Sequence, residues 1–175
     1  MKLIKNVSLI LPHKIIDNGA LLFSDEIEKI YSVPPTDLDG IETINGEGGY
    51  LSPGFIDIHI HGSGGSDTME ANREALENIS KTIFEYGVTS FLPTTMTMNE
   101  VDVKKALDNV KRMKDEGLKG AQPLGVHMEG PFINKKYKGA QNDKDIQTPY
   151  LELIEESLGQ EVERVPNETK LPKNN

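Results

Sequence analysis

From residue 54 onward the chain switches repeatedly between a strand-like and a helix-like hydrophobic period, and this alternation limits the fold more than any other feature. FIDIHIH, residues 55–61, is a short run with β-branched residues at every second position. NREALENISKTIFEYG then places Ala75, Leu76, Ile79, Ile83 and Phe84 at helical spacing, with Gly87 set to end the helix. VTSFLPTT follows as a strand. NEVDVKKALDNVKRMKDEG puts Val103, Ala106, Leu107, Val110 and Met113 on one stripe, between an Asn99 N-cap and a Gly117 stop. PLGVHMEGP is a third strand and TPYLELIEESLG a third, shorter helix. Strands alternating with helices of this length predict the α/β class, with a parallel sheet and right-handed crossovers.

The flanks differ from this middle. Residues 1 to about 50 predict a small β region of short strands, LIKNVSLIL, ALLFS and EIEKIYS, with a turn at Asp17–Gly19 and a loop carrying Pro34, Pro35 and Gly40. His13, beside Pro12 in a turn, reads as a surface residue. GQEVERVPNETKLPKNN, at the other end, is too polar and proline-punctuated to supply the next buried strand. Three strand–helix units leave two sheet edges unpaired, so the chain is expected to stop mid-fold.

Charge and composition remove several classes of function. A net charge of -9 argues against a nucleic-acid backbone or an anionic membrane as partner. With no cysteine, only His, Asp and Glu remain as strong metal ligands. The N-terminus is too short in apolar residues for a signal-peptide core, and no run approaches the roughly 20 apolar residues of a membrane helix. The expectation is a soluble, cytoplasmic protein.

The chemistry concentrates at the C-terminal ends of the first and third strands. Side chains two apart on a strand share a face, so Phe55, Asp57, His59 and His61 line one side and Ile56, Ile58 and Ile60 the other. A polar strand face beside the glycine-rich loop HGSGGSD makes sense if it looks into a cavity, and ligands in α/β proteins bind at that end. A bare HxH is more often a hydrogen-bonded structural pair. His127 and Glu129 share a face at the end of the third strand. If the first and third strands are parallel neighbours in a curled sheet, Glu129 points at the cavity of His59 and His61. Two histidines and a carboxylate form a hydrolytic metal set with one position open for water. The alternatives are a carboxylate paired with a lysine for Glu129, and a structural role for His127. Lys135, Lys136 and Lys138 follow closely, either solvated or attracting an anion.

SPGFIDIHIHGSGGSDTME together with GVHMEGPFINKKYKGAQN resembles the N-acetylglucosamine-6-phosphate deacetylase family of the amidohydrolase superfamily. The likeness covers roughly residues 1 to 158, less than half of a full member. It implies a distorted (β/α)8 barrel with a small β-sandwich: residues 1–52 as the N-terminal part of the sandwich and 53–158 as the first three βα units of the barrel. After Gly159 the family pattern runs into another apolar strand, whereas this chain has EVERVPNETKLPKNN, so 159–175 is expected from its composition to be a polar, disordered tail. It implies metal binding by Glu129, His59 and His61, and contact with the sugar by Ala140 and Gln141, where many members carry histidine in place of Gln141. The implied cofactor is a divalent metal, zinc or alternatively iron. The implied reaction is hydrolysis of N-acetylglucosamine 6-phosphate to glucosamine 6-phosphate and acetate, with a homodimer for a complete member. The family's catalytic aspartate and two further metal-binding histidines would lie beyond residue 175, so the chain alone is expected to be inactive. Two other readings stay open: a non-catalytic fragment that binds metal or sugar phosphate or complements another chain, and a different amidohydrolase such as a cyclic amidase or deaminase. EGPFIN and KGAQ count against the last.

Overall fold

A computed structural model describes residues 1–36 and 38–148. The chain divides into two compact units, with the boundary between Gly54 and Phe55. The expected third helix, from residue 149 on, and the expected polar tail lie outside the described residues.

The first unit is a five-stranded sheet. β1 (Lys2–Leu11) pairs antiparallel with β2 (Lys14–Phe23), which pairs antiparallel with β3 (Ile27–Tyr31). On its other edge β1 takes β4 (Glu42–Asn45) and then β5 (Tyr50–Leu51), both parallel. The turn expected at Asp17–Gly19 is not one: β2 runs straight through it, and the hairpin reverses at Pro12–His13. The turn-forming residues serve a bulge instead. Asn6 and Asn18 both have positive φ, and the β1–β2 register slips on either side of Val7. Gly19 is confined by contact, since a Cβ there would lie 2.8 Å from Leu9 Cδ1. His13 is exposed, as its place beside Pro12 implies.

The second unit opens with β6 (Phe55–Ile60). A tight hairpin follows, β7 (Gly62–Ser63) and β8 (Ser66–Asp67), then α1 (Arg73–Phe84), β9 (Val88–Pro93), α2 (Glu100–Glu116) and β10 (Gln122–Pro123). The sheet is parallel in the order β10-β9-β6. Both helices start where short polar side chains can accept a backbone N–H: Asn72 from Ala75 at 2.8 Å, Asn99 from Asp102 at 3.1 Å. Their apolar stripes close on the central strand, burying Leu76, Ile79, Ile83, Phe91, Val110, Met113, Leu118 and Ala121 in one cluster. Full burial of each large side chain stabilises the fold by about 1.5–3 kcal/mol. Phe84, expected on that stripe, is 51% exposed. Its neighbour Ile83 takes the buried position in the last turn, and Phe84 is rotated from it by about 100°. Ser80, buried in α1, donates to Ala121 O and accepts from Gly120 N, which fixes where β10 begins.

Two expectations for the sheet need correction. The first and third strands are not neighbours, because β9 lies between them. The third strand is also far shorter than PLGVHMEGP. After Pro123 the ladder breaks and resumes only as a single Thr94–His127 bridge, four residues on one side against three on the other. The extra residue interrupts pairing and lets the chain turn out of the sheet. Among the described residues no helix is long and apolar enough to cross a membrane.

Candidate metal centre

Three strand ends build the site. Between Asp57 and Ile60 β6 advances three residues while β9 advances two, so β6 carries an extra residue just where its histidines begin. Local bonds hold this break. The Asp57 carboxylate accepts the His59 backbone N–H at 3.0 Å, and Ile60 N donates to Thr94 Oγ1 at 2.9 Å. Ile60 packs partly on the core, which leaves His59 and His61 on the opposite side of the strand. Ile56 and Ile58, expected to pack beside Ile60, are 58% and 64% exposed.

The two imidazoles converge on Glu129. His59 Nε2 and His61 Nε2 are 3.3 Å apart, and each lies 3.1 Å from Glu129 Oε2. A single proton can satisfy only one edge of this triangle at a time, whereas a cation at its apex satisfies all three donors. Tetrahedral zinc with bonds of about 2.0–2.1 Å holds its ligands roughly 3.3–3.4 Å apart, close to the observed spacing. The donor set therefore fits a divalent metal in chemistry and in size. The three side chains are partly open to solvent, so an ion can reach them.

The surrounding groups orient two of the ligands, His59 and Glu129. His127 Nδ1 donates to Ile58 O at 2.9 Å, which sets its tautomer, and its ring packs edge-on against His59 with centroids 4.5 Å apart. His127 thus supports the first histidine and lies outside the ligand triangle. The remaining oxygen of Glu129, Oε1, accepts from the Gln141 side-chain amide. Gln141 is 7% exposed, and its own Oε1 accepts from Thr97 N at 3.0 Å. Ala140 next to it is exposed. Lys138, proposed from sequence as an anion attractor, bonds Gln141 O at 2.9 Å and lies 3.4 Å from Asp143, while Lys135 and Lys136 are exposed. Thr97 went unnoticed in the sequence because the contact is made by its backbone, which no residue pattern records.

A family model for the amidohydrolase family matches residues 50–168. The chain belongs to the amidohydrolase family. Within that family it is similar to the N-acetylglucosamine-6-phosphate deacetylase of Bacillus subtilis (strain 168), 36% identical over 156 residues, 87% of this chain and 39% of the relative. The enzyme of the same name from Vibrio furnissii is 42% identical over 90 residues, 51% of this chain and 23% of the relative. Among solved structures, N-acetylglucosamine-6-phosphate deacetylase from Pasteurella multocida superposes with a TM-score of 0.79 at 26% identity, covering 87% of this chain and 40% of that one. This amidohydrolase chain thus spans about two-fifths of the length of its B. subtilis and P. multocida relatives.

Proposed function

We propose that this chain carries one wall of the active site of a metal-dependent deacetylase that hydrolyses N-acetylglucosamine 6-phosphate to glucosamine 6-phosphate and acetate. The observation that carries the proposal is the triangle of His59 Nε2, His61 Nε2 and Glu129 Oε2, each 3.1–3.3 Å from the others. Two imidazoles and one carboxylate suit zinc, with iron as the alternative. Residues 53–158 are assigned to the first three βα units of a (β/α)8 barrel and residues 1–52 to part of a small β-sandwich. The parallel order β10-β9-β6 and the likeness to the P. multocida enzyme support this assignment. We place the complete protein in the cytoplasm as a homodimer.

The ion, when bound, supplies Lewis-acid activation of water and of an amide carbonyl. The protein does the positioning. His59 and His61 offer Nε2 from the end of one strand, so that their placement needs no long loop to become ordered, and Glu129 offers Oε2 from the segment that follows the Thr94–His127 bridge. Asp57 holds the His59 backbone and His127 packs on its ring, limiting how far that imidazole can swing. Ala140, exposed beside Gln141, marks the loop that meets the sugar; Gln141 keeps one amide proton beyond that given to Glu129. Amide hydrolysis also needs a group that hands a proton to the leaving amine. The carboxylates at the triangle are both committed, Asp57 to a backbone N–H and Glu129 to the imidazoles and Gln141. We therefore assign the proton shuttle to a group outside the described residues.

A chimera tests this directly. Residues 1–158, substituted for the matching part of the B. subtilis deacetylase, should hydrolyse N-acetylglucosamine 6-phosphate and lose that activity with Glu129→Gln. A folded, metal-loaded chimera without activity rejects the proposal.

A further inference from the structure

We propose that Gln141 is a positioning residue that ties the Glu129 carboxylate to the Thr97 backbone, so that Glu129 offers a metal only Oε2. The inference rests on the metal reading of the His59–His61–Glu129 triangle and adds to it how the carboxylate is held.

Glu129 divides its two oxygens. Oε2 faces both histidines at 3.1 Å, and Oε1 faces the Gln141 amide nitrogen. The orientation of that amide is fixed by its partners. Turned over, its oxygen would face a carboxylate oxygen and its NH2 would face the Thr97 N–H, setting acceptor against acceptor and donor against donor. Gln141 itself cannot drift. Its N–H donates to Lys138 O at 3.1 Å, its C=O accepts from Lys138 Nζ at 2.9 Å, and it is 93% buried by its 7% exposure. Thr97 is held as firmly, because Gly130, at φ +78°, packs its Cα against it so closely that a Cβ there would meet Thr97 Oγ1 at 1.9 Å. The residue after Glu129 and the residue that anchors Gln141 are thus packed on each other, closing a small circuit from Glu129 through Gln141 and Thr97 to Gly130.

Such a circuit has a chemical use. A carboxylate free to rotate can bind an ion through one oxygen or two, and the change alters the number of positions left for water and substrate. With Oε1 occupied by a donor, two-oxygen binding requires breaking a buried hydrogen bond. Glutamine suits this task, because it donates to a carboxylate and accepts from a backbone N–H with one uncharged group.

The test uses the full 175-residue chain and two variants, Gln141→Met, which keeps the volume and loses the amide, and Glu129→Gln. Each is titrated with Zn2+ alone against a chromophoric chelator, and with Co2+ alone to record its visible absorption. Gln141→Met should bind Zn2+ about ten- to a hundredfold more weakly, the usual cost of removing a hydrogen-bond partner of a metal ligand. Its Co2+ band should weaken as the released Oε1 joins Oε2 and the coordination number rises. If either change fails to occur while Glu129→Gln loses binding, the clamp is overturned and the metal reading stands. Unchanged Zn2+ binding in Glu129→Gln overturns both. Should Gln141→Met not fold, a crystal structure of the unaltered chain with Zn2+ decides. Oε2 on the ion with Oε1 on Gln141 supports the clamp, and both oxygens on the ion, or Gln141 turned away, refutes it.

Discussion

The two sheets both contain broken ladders, and they use the breaks differently. In the first, the slips around Val7 are absorbed inside the β1–β2 pair, where Asn6 and Asn18 take left-handed conformations and the strands continue. In the second, breaks lie at the C-terminal ends of β6 and β10, and pairing recovers only as single contacts, Ile60 with Pro93 and Thr94 with His127. Backbone and side-chain groups freed there turn to the site: Asp57 to His59 N, Thr94 Oγ1 to Ile60 N, Gln141 to Glu129. A bulge in mid-strand adjusts twist, whereas one at a strand end re-aims the residues that follow it. The irregularity is similar in kind, and its place along the strand decides whether it can serve chemistry.

The contrast can be attacked at the core first. Phe91 on β9 is fully buried, while Phe55 on β6 is 66% exposed. Phe91→Ala should lower the urea unfolding free energy by about 3–5 kcal/mol, and Phe55→Ala by no more than about 0.5 kcal/mol. Comparable losses would mean that Phe55 is covered.

Two glycines sharpen the comparison. Gly130 and Gly48 have nearly the same positive φ, +78° and +75°, but a Cβ meets Thr97 at the first and nothing within 4 Å at the second. Gly130→Ala should therefore destabilise by about 1–3 kcal/mol and weaken Zn2+ binding. Gly48→Ala should cost about 1 kcal/mol and leave the metal untouched. Equal effects of both on Zn2+ titrations would break the distinction between the two sheets.

Smaller effects belong to helix ends. Asn99→Ala removes the side chain that accepts from Asp102 N and should cost about 1 kcal/mol in thermal or urea unfolding. Smallest is the response to acid at Asp102, whose carboxyl is held below its ordinary 3.8 by the Asn99 amide first and Lys105 second. A depressed carboxyl stabilises the fold above its unfolded pKa and loses that contribution as pH falls through the folded value. The difference in unfolding midpoint between the unaltered chain and Asp102→Asn should accordingly narrow below pH about 4, and shrink with added salt because the side chain is partly open to solvent.

What the sequence discloses follows from how local the cause is. The two helices, with their Asn72 and Asn99 ends and buried stripes, arise from spacing within single segments, and the α2 stripe is buried residue for residue. The pairing of His59 with His61 was legible for the same reason, as an alternation within one strand. The placement of Glu129 beside them was legible only through the motif EGPFIN and its resemblance, since strand order depends on long-range packing. Strand alternation alone would bring it there only from an adjacent strand, and β9 stands between. Asp17–Gly19 misled because asparagine and glycine suit any positive-φ position, whether it ends a strand or kinks one. Thr97 left no trace in the sequence, because its contribution is an N–H that every residue except proline possesses.

The central position of β9 has one last consequence. The strand is paired on both sides, to β6 and to β10, and the chain that leaves its end carries the buried Thr94, Thr95 and Thr97. Thr94 Oγ1 accepts from Ile60 N beside the histidines, and Thr97 N donates to the Gln141 that holds Glu129, so one short stretch tethers both sides of the triangle, much as a keystone steadies an arch whose feet stand elsewhere.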